Sequence, residues 1–277
     1  MSNAQTIKIG VIGVGYLGEF HVQQLQEISN VNLIGLSDIN YERGIAISKK
    51  YQVKFYKKSD DLIKLCDGII IVTPTNSHHE IAKNILKQGK HVFIEKPITS
   101  TIEQANELIE LADNNNGLIQ VGHIERFNPA FLLLQEKKMT TQFIEIHRLA
   151  SFKSRSQDIS VVLDLMIHDI DIILATIDSN IIDIQANGVN VVTSETDIAN
   201  ARITFENGCI ANLTASRISL KEMRKMRIFQ ENSYVNIDFL NKTLEEYLVT
   251  DSSKLDDNTQ LFPYDDKVNK FIQYTKN

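Results

Sequence analysis

Short apolar runs alternating with amphipathic stretches dominate the first part of the chain. Ile7–Ile12 is a run of β-branched and other apolar residues, as expected of a strand buried on both faces. Tyr16–Ser29 reads as a helix, and Val31–Ser37 as a second strand. Gly68–Val72 is a further strand that ends at Thr73-Pro74, and Ser77–Gln88 is a helix with Gly89 as its stop signal. His91–Ile94 is the strand that delivers Glu95-Lys96-Pro97. Ser100-Thr101-Ile102-Glu103 fits a capping box that opens a helix to Ala112, and Leu118–Val121 closes the series. Strand and helix in alternation predict a parallel sheet with crossover helices over residues 1–121.

The rhythm changes after Gly122. Thr141–Phe152 is strand-like and is followed by one strongly apolar helix, Val161–Ile177. Strand-like segments then run without helices between them: Ile181–Thr193, Thr196–Glu206, Cys209–Ser219, Lys225–Gln230, Ser233–Phe239 and Thr243–Val249. Asn207-Gly208 signals a type I′ hairpin. This pattern predicts an antiparallel sheet and an α+β second domain over residues 122–277. Thr250–Gln260 is polar and reads as a loose segment, with a short helix expected at Lys267–Tyr274. The fold class expected is therefore a doubly wound parallel sheet joined to an open antiparallel α+β domain.

Composition narrows the function classes. The 277 residues are 43% hydrophobic and 23% charged, enough for two ordinary globular cores. The net charge of −6 and the lack of a basic block argue against a nucleic-acid partner. The longest apolar runs, such as Ile69–Val72, are too short to cross a membrane, and the polar N-terminus is unlike a signal peptide. Cys66 and Cys209 stand far apart, with no metal-binding spacing, and read as buried thiols. The expectation is a cytoplasmic protein without a metal.

Gly13-Val14-Gly15-Tyr16-Leu17-Gly18 follows a strand and opens a helix, the context a dinucleotide-binding turn requires. Gly13 permits the turn, Gly15 lets the backbone approach a pyrophosphate, and Gly18 allows close packing of helix on strand. Asp38 ends the second strand, where a carboxylate accepts hydrogen bonds from the adenosine ribose and repels a 2′-phosphate. It favours NAD over NADP, softened by Arg43 nearby; alternatively Asp38 caps a helix before Glu42. Lys96, between Glu95 and Pro97, leaves a strand at its carboxyl end, where ligands of open α/β folds bind; otherwise it is a solvated surface charge. Thr73, Pro74, Asn76 and His78 sit at another such end, to contact the nicotinamide ribose or to cap the next helix.

Asp164, His168 and Asp171 fall at i, i+4 and i+7 on the apolar helix, one polar stripe that faces either solvent or a cleft. An aspartate beneath His168 would set the imidazole tautomer for proton transfer. His123, Glu125, Arg126 and Asn128 stand at the domain crossing, for substrate or for hinge packing. Arg148, Lys153 and Arg155 could clamp phosphates or form a solvated basic edge. Arg217, Lys221, Arg224, Lys225 and Arg227 read as sheet surface.

Taken together, Gly13–Gly18, Thr73-Pro74, His78, Gly89-Lys90-His91-Val92, Glu95-Lys96-Pro97 and the stripe Asp164–His168–Asp171 resemble the Gfo/Idh/MocA oxidoreductase family over essentially the whole chain. The resemblance implies a Rossmann domain followed by an α+β domain whose open sheet face makes homodimer or homotetramer contacts. It also implies a catalytic set of Lys96, His168 and Asp164. NAD would be held by Gly13, Gly15, Tyr16, Leu17, Gly18, Asp38, Thr73, Pro74, Asn76, His78, Glu95 and Lys96. Arg126, Asn128, Arg148, Arg155 and Asp171 would meet the substrate. Val121–Ala130, Val161–Leu174, Asp197–Leu220 and Met223–Gln230 are most similar to the bacterial members that oxidise the 3-hydroxyl of UDP-N-acetylglucosamine to a ketone. In those bacteria an aminotransferase then acts on the ketone on the way to lipid A. Family members often carry Gly where Met166 stands, though the most similar members share this chain's form, and relatives continue past Tyr274 through another helix, so the chain reads as short for the family. The competing readings are a dehydrogenase of another nucleotide sugar or a free polyol, and a non-catalytic NAD-binding sensor.

Overall fold

The computed structural model describes residues 6–152, 159–251, 260–265 and 270–276. The chain divides into two compact units, Met1–Gly122 and His123–Asn277.

In the first unit five strands lie parallel: β1 (Ile7–Ile12), β2 (Val31–Ser37), β3 (Gly68–Ile71), β4 (His91–Ile94) and β5 (Ile119–Val121), in the order β2-β1-β3-β4-β5. Between them run α1 (Tyr16–Glu27), α2 (Tyr41–Tyr51), α3 (Ser59–Ile63), α4 (Thr75–Leu86) and α5 (Ile102–Asn114). Outside β2 a single bridge pairs Leu36 with Phe55: Leu36 N–H donates to Lys54 O at 2.9 Å, and Tyr56 N–H to Leu36 O at 2.8 Å. Counting it as a strand position gives the six-place order of a dinucleotide-binding sheet. The apolar runs fill cores on both faces. Val11, Val22, Leu25, Leu36 and Ile47 pack on one side, and Ile12, Leu62, Ile71, Ile85, Ile94 and Leu108 on the other. Burial on both faces is why these strands read as continuous apolar runs and not as alternation.

One helix start differs from the sequence expectation. Thr101, not Ser100, caps α5: its Oγ1 accepts from Gln104 N–H at 3.3 Å, and Gln104 Oε1 accepts from Ser100 N–H. The cap slides one residue because Thr101 offers the same hydroxyl acceptor as Ser100, and Gln104 reaches back to the N–H just before the cap, so the bond pattern is not a reciprocal box.

The second unit contains α6 (Pro129–Gln135), β6 (Phe143–Leu149), α7 (Ile167–Thr176), β7 (Ile181–Val189), β8 (Ile198–Phe205), β9 (Ile210–Ser216), β10 (Met223–Gln230), β11 (Ser233–Asp238), β12 (Thr243–Asp251), β13 (Gln260–Asp265) and β14 (Lys270–Lys276). Among the described residues nine strands form one sheet in the order β13-β14-β12-β11-β10-β6-β9-β8-β7. Every pairing is antiparallel except β6 with β9. Strict alternation along β6 and β9 puts Ile144, Ile146, Ala211 and Leu213 in a single core with Phe131, Ile172 and Ile173 from α6 and α7. The opposite face carries an aromatic row in register across four strands: Phe143, Phe229, Tyr234 and Tyr247, with centroids 5.0–5.9 Å apart.

Three expectations are corrected here. Of the span expected as a helix, Lys267–Tyr274, the described part from Lys270 on belongs instead to β14, because its backbone pairs with β12 and β13. The helix expected over Val161–Ile177 begins with a π-helical turn, Val162–Met166, before α7; such turns insert one extra residue and recur at functional sites. The hairpin at Asn207-Gly208 is real but not type I′, since only Gly208 has a left-handed φ, +84°. Gly208 N–H donates to Phe205 O, and Asn207 Oδ1 accepts from Cys209 N–H, which together make a turn with a glycine bulge.

A buried charge cluster ties β6 to α7. Arg148 and Asp169 are each 2% exposed. Arg148 Nε donates to Asp169 Oδ1 at 2.9 Å and Oδ2 at 3.0 Å, Nη2 to Oδ1 at 2.7 Å, and Nη1 to Glu125 Oε1 at 3.1 Å. Arg148→Met strands the buried Asp169 carboxylate and takes one of the partners of Glu125, and we expect it to cost about 3–5 kcal/mol. Arg224, at 3.5 Å from Glu125 on the solvent side, should cost at most about 1 kcal/mol when made Met. Denaturant unfolding of the two variants checks both expectations.

Candidate active site

Because the strands of the first unit are parallel, every strand-to-helix turn emerges at one edge. The glycine turn is the best defined of them. Gly13 has φ +88°, and a Cβ on it would fall 2.5 Å from Val72 O. A Cβ on Gly18 would fall 2.0 Å from Gly13 O. Both positions are closed to any side chain. Gly15 is the opposite case: nothing lies within 4 Å of where its Cβ would be. Gly15 is also the N-cap of α1, and no side chain caps the helix. The turn therefore offers open backbone and uncapped amides to an anion, which is what a dinucleotide pyrophosphate needs. Tyr16 and Leu17 follow, 69% and 50% exposed.

Asp38 binds this turn directly. Its Oδ2 accepts from Val14 N–H and its Oδ1 from Asn40 N–H, both at 2.7 Å. Asn40, not Asp38, caps α2, through Oδ1 and Arg43 N–H. Two of the carboxylate's four lone-pair sites are used, which leaves capacity for ribose hydroxyls. Arg43 is drawn back onto the turn and onto α1. Its Nε donates to Val14 O at 2.9 Å, and its Nη2 donates to Gly15 O at 3.2 Å and Glu19 Oε2 at 2.6 Å.

Lys96 follows β4 and is half-buried, joined to Pro97 by a cis peptide. Glu95 accepts from His21 of α1, Oε1 to Nε2 at 2.7 Å. His21 was not singled out from sequence; its only signal was its place three residues after Gly18 on the same helix. Thr73 Oγ1 accepts from Ser77 Oγ at 2.8 Å, Pro74 precedes α4, and Asn76 is exposed on its first turn. His78 is a correction. It is 1% exposed, with Nδ1 2.9 Å from Pro97 O and Nε2 2.8 Å from Thr73 O, so it braces two turns and offers no face to a cofactor.

In the second unit Asp164 lies in the π-helical turn, and His168 and Asp171 lie on α7; all three are partly exposed, while Asp169 between them is buried. Asp171 takes both prongs of Arg126, Nε to Oδ2 and Nη2 to Oδ1, each at 2.8 Å, and His123 Nδ1 lies 3.9 Å from Asp171 Oδ2. The hydrogen bonds it donates to Asp171 hold the Arg126 guanidinium above its ordinary pKa. Two substrate assignments are corrected. Arg148 is not a phosphate clamp, since its donors are spent on Asp169 and Glu125 in the interior. Asn128 is a cap and a tie: Oδ1 accepts from Ala130 N–H, and Nδ2 donates to Phe239 O at 3.0 Å. Arg155 lies outside the described residues. Among those residues no group of His, Cys, Asp and Glu is placed to hold a metal, and no helix is long and apolar enough to cross a membrane. Burial pushes the Cys66 thiol up to about 11.

The fold and the glycine turn define an oxidoreductase with an NAD-binding Rossmann domain. The model of the NAD-binding Rossmann fold oxidoreductase family matches residues 7–123, and that of the GFO/IDH/MocA C-terminal domain matches residues 139–235. The chain belongs to the Gfo/Idh/MocA family. It is 40% identical over 242 residues to UDP-N-acetylglucosamine 3-dehydrogenase of Acidithiobacillus ferrooxidans, covering 87% of this chain and 77% of the relative. A solved structure of that enzyme superposes with a TM-score of 0.83 over 88% of this chain and 80% of the other. A scyllo-inositol dehydrogenase structure from Lactobacillus casei is 25% identical, with a TM-score of 0.74 over 84% of this chain and 75% of that one. Myo-inositol 2-dehydrogenase of Thermotoga maritima is 27% identical over 76% of this chain and 69% of its own length.

The charge cluster behind the turn has a pH signature. Hydrogen bonds from Lys50, Arg43 and Tyr51 hold the Glu19 carboxyl down to about 2, from 4.5. A depressed folded pKa gives stability that is complete above the unfolded value and fades as pH falls through the folded one. The Tm advantage of the wild type over Glu19→Gln should be constant above pH 4.5, shrink below it and vanish near pH 2. Melting curves across that range test it.

Proposed function

We propose that this protein oxidises the 3-hydroxyl of UDP-N-acetylglucosamine, or a close nucleotide-sugar analogue, to the ketone with NAD. The observation that carries the reading is the 40% identity to the Acidithiobacillus ferrooxidans enzyme over 87% of the chain. When bound, NAD supplies the hydride acceptor, held by Gly13, Gly15 and Gly18 with Asp38 at the ribose. Lys96 and His168 divide the work on the hydroxyl: one removes its proton, and the other donates a hydrogen bond to the oxygen as charge develops there. Asp164 orients His168, and the Arg126–Asp171 pair fixes the polar stripe beside it. A nucleotide-sugar substrate suits the cytoplasm, with the ketone passing to an aminotransferase. The protein is read as a homo-oligomer through the open sheet face, where the row Phe143–Phe229–Tyr234–Tyr247 offers a flat aromatic contact.

The test is NADH formation by purified protein with NAD and UDP-N-acetylglucosamine, the ketone being trapped. Turnover should be absent with free N-acetylglucosamine, and Lys96→Met should lower kcat by about 10²–10⁴-fold. Faster turnover of free inositol than of the nucleotide sugar would overturn the substrate. NAD binding without hydride transfer to any sugar would overturn the enzyme reading in favour of a sensor. Asp38→Ala removes a charged acceptor, so NAD affinity should fall by about 10–100-fold. Calorimetric titration should show NADP affinity falling less, narrowing the preference.

A further inference from the structure

The loop that carries Lys96 is fixed on both sides by histidines that come from other elements. His21 Nε2 lies 2.7 Å from Glu95 Oε1, and the His21 ring stands edge-on to Phe93 of β4, centroids 5.3 Å apart at 62°. The two side chains are only 23% and 19% exposed. Glu95 has no slack: Gly122 lies so close that a Cβ there would fall 2.8 Å from Oε2, and Glu95 N–H donates to Ile71 O at 3.0 Å. On the far side of Lys96, Pro97 is buried and its carbonyl meets His78. An apolar contact would pack α1 on β4 equally well. A short imidazole–carboxylate bond does more, since it is strong only near one distance and direction. It also spans two functional parts, because α1 begins at the glycine turn and Glu95 adjoins the lysine.

We propose that His21, acting through Glu95, is a positioning residue for Lys96, linking the helix that meets the dinucleotide to the loop that supplies the lysine. What Lys96 does in turnover rests on the function proposed above; where it is held does not.

The experiment uses the full chain in wild-type, His21→Leu and His21→Gln forms. Gln places an amide N–H near the position of the imidazole Nε2 and restores the bond, whereas Leu keeps bulk and loses it. His21→Leu should lower kcat about tenfold, a barrier change that positioning alone can produce, with KM for NAD unchanged. In the protein without cofactor or substrate, reductive methylation of Lys96, read by mass spectrometry, should speed up about threefold relative to the other lysines as the loop loosens. His21→Gln should return both readouts most of the way. Glu95→Ala breaks the bond from the other side and should reproduce the labelling change, so the proposal stays testable if His21→Leu does not fold. Lys96 labelling that matches wild type in both His21→Leu and Glu95→Ala overturns the proposal, as does a Gln variant no better than Leu. A wild type that turns over no sugar defeats the proposed reaction, and the labelling comparison still decides the positioning.

Discussion

The first unit rests on one constraint: its five strands run parallel, so their carboxyl ends share an edge. Parallel strands need crossover helices, and a twisted sheet feeding right-handed helices has little choice of where the turns emerge. That edge gathers Gly13–Gly18, Asp38, Thr73 and Glu95-Lys96-Pro97 from segments up to about eighty residues apart. Nothing in the chemistry of these residues brings them together. The glycine turn is closed by backbone approach, since Gly13 and Gly18 leave no room for a Cβ, and it is tied from the side by Asp38 and Arg43, while Gly15 leaves its backbone open.

The second unit depends on a different kind of interaction. Arg148, Asp169 and Glu125 are buried charges, and desolvating them costs energy that an apolar trio would not. What they provide is direction. Asp169 adjoins His168 on α7, and a bidentate bond from β6 allows one rotation and one depth for that helix. Apolar packing of Ile172 and Ile173 would tolerate a slide. The same turn of helix presents Asp171 to Arg126, so two neighbouring carboxylates take two arginines, one buried and one half-exposed.

What was legible in the sequence followed range. Elements set by local pattern came out with their bounds: Ile7–Ile12, Val31–Ser37 and His91–Ile94 are strands as read, and the glycine turn sits where its spacing put it. Contacts set by distant partners did not. Arg148 looks like any surface arginine until Asp169, 21 residues on, is folded against it. His21 and Glu95 are 74 residues apart, and neither carries a local mark of the other. The terminal strands were missed for the same reason: β14 is a strand because β12 and β13 flank it, not because its side chains alternate clearly. His78 was read as a contact to the nicotinamide ribose or a cap of the next helix, because it follows a strand-end Thr-Pro. Its two carbonyl partners, from Thr73 and Pro97, could not be seen in one dimension.

Cofactor discrimination shows how far local charge can mislead. Asp38 and Arg43 lie close together, one favouring a ribose diol and the other a 2′-phosphate, and counted as charges they nearly cancel. The hydrogen bonds separate them. Arg43 turns Nε and Nη2 to Glu19 and to the carbonyls of Val14 and Gly15, so its positive charge braces the glycine turn from behind. Asp38 uses half its accepting capacity on Val14 and Asn40 and keeps the rest. A second carboxylate, Glu19, thus draws the arginine onto the glycine turn, while the Asp38 carboxylate keeps its free accepting sites.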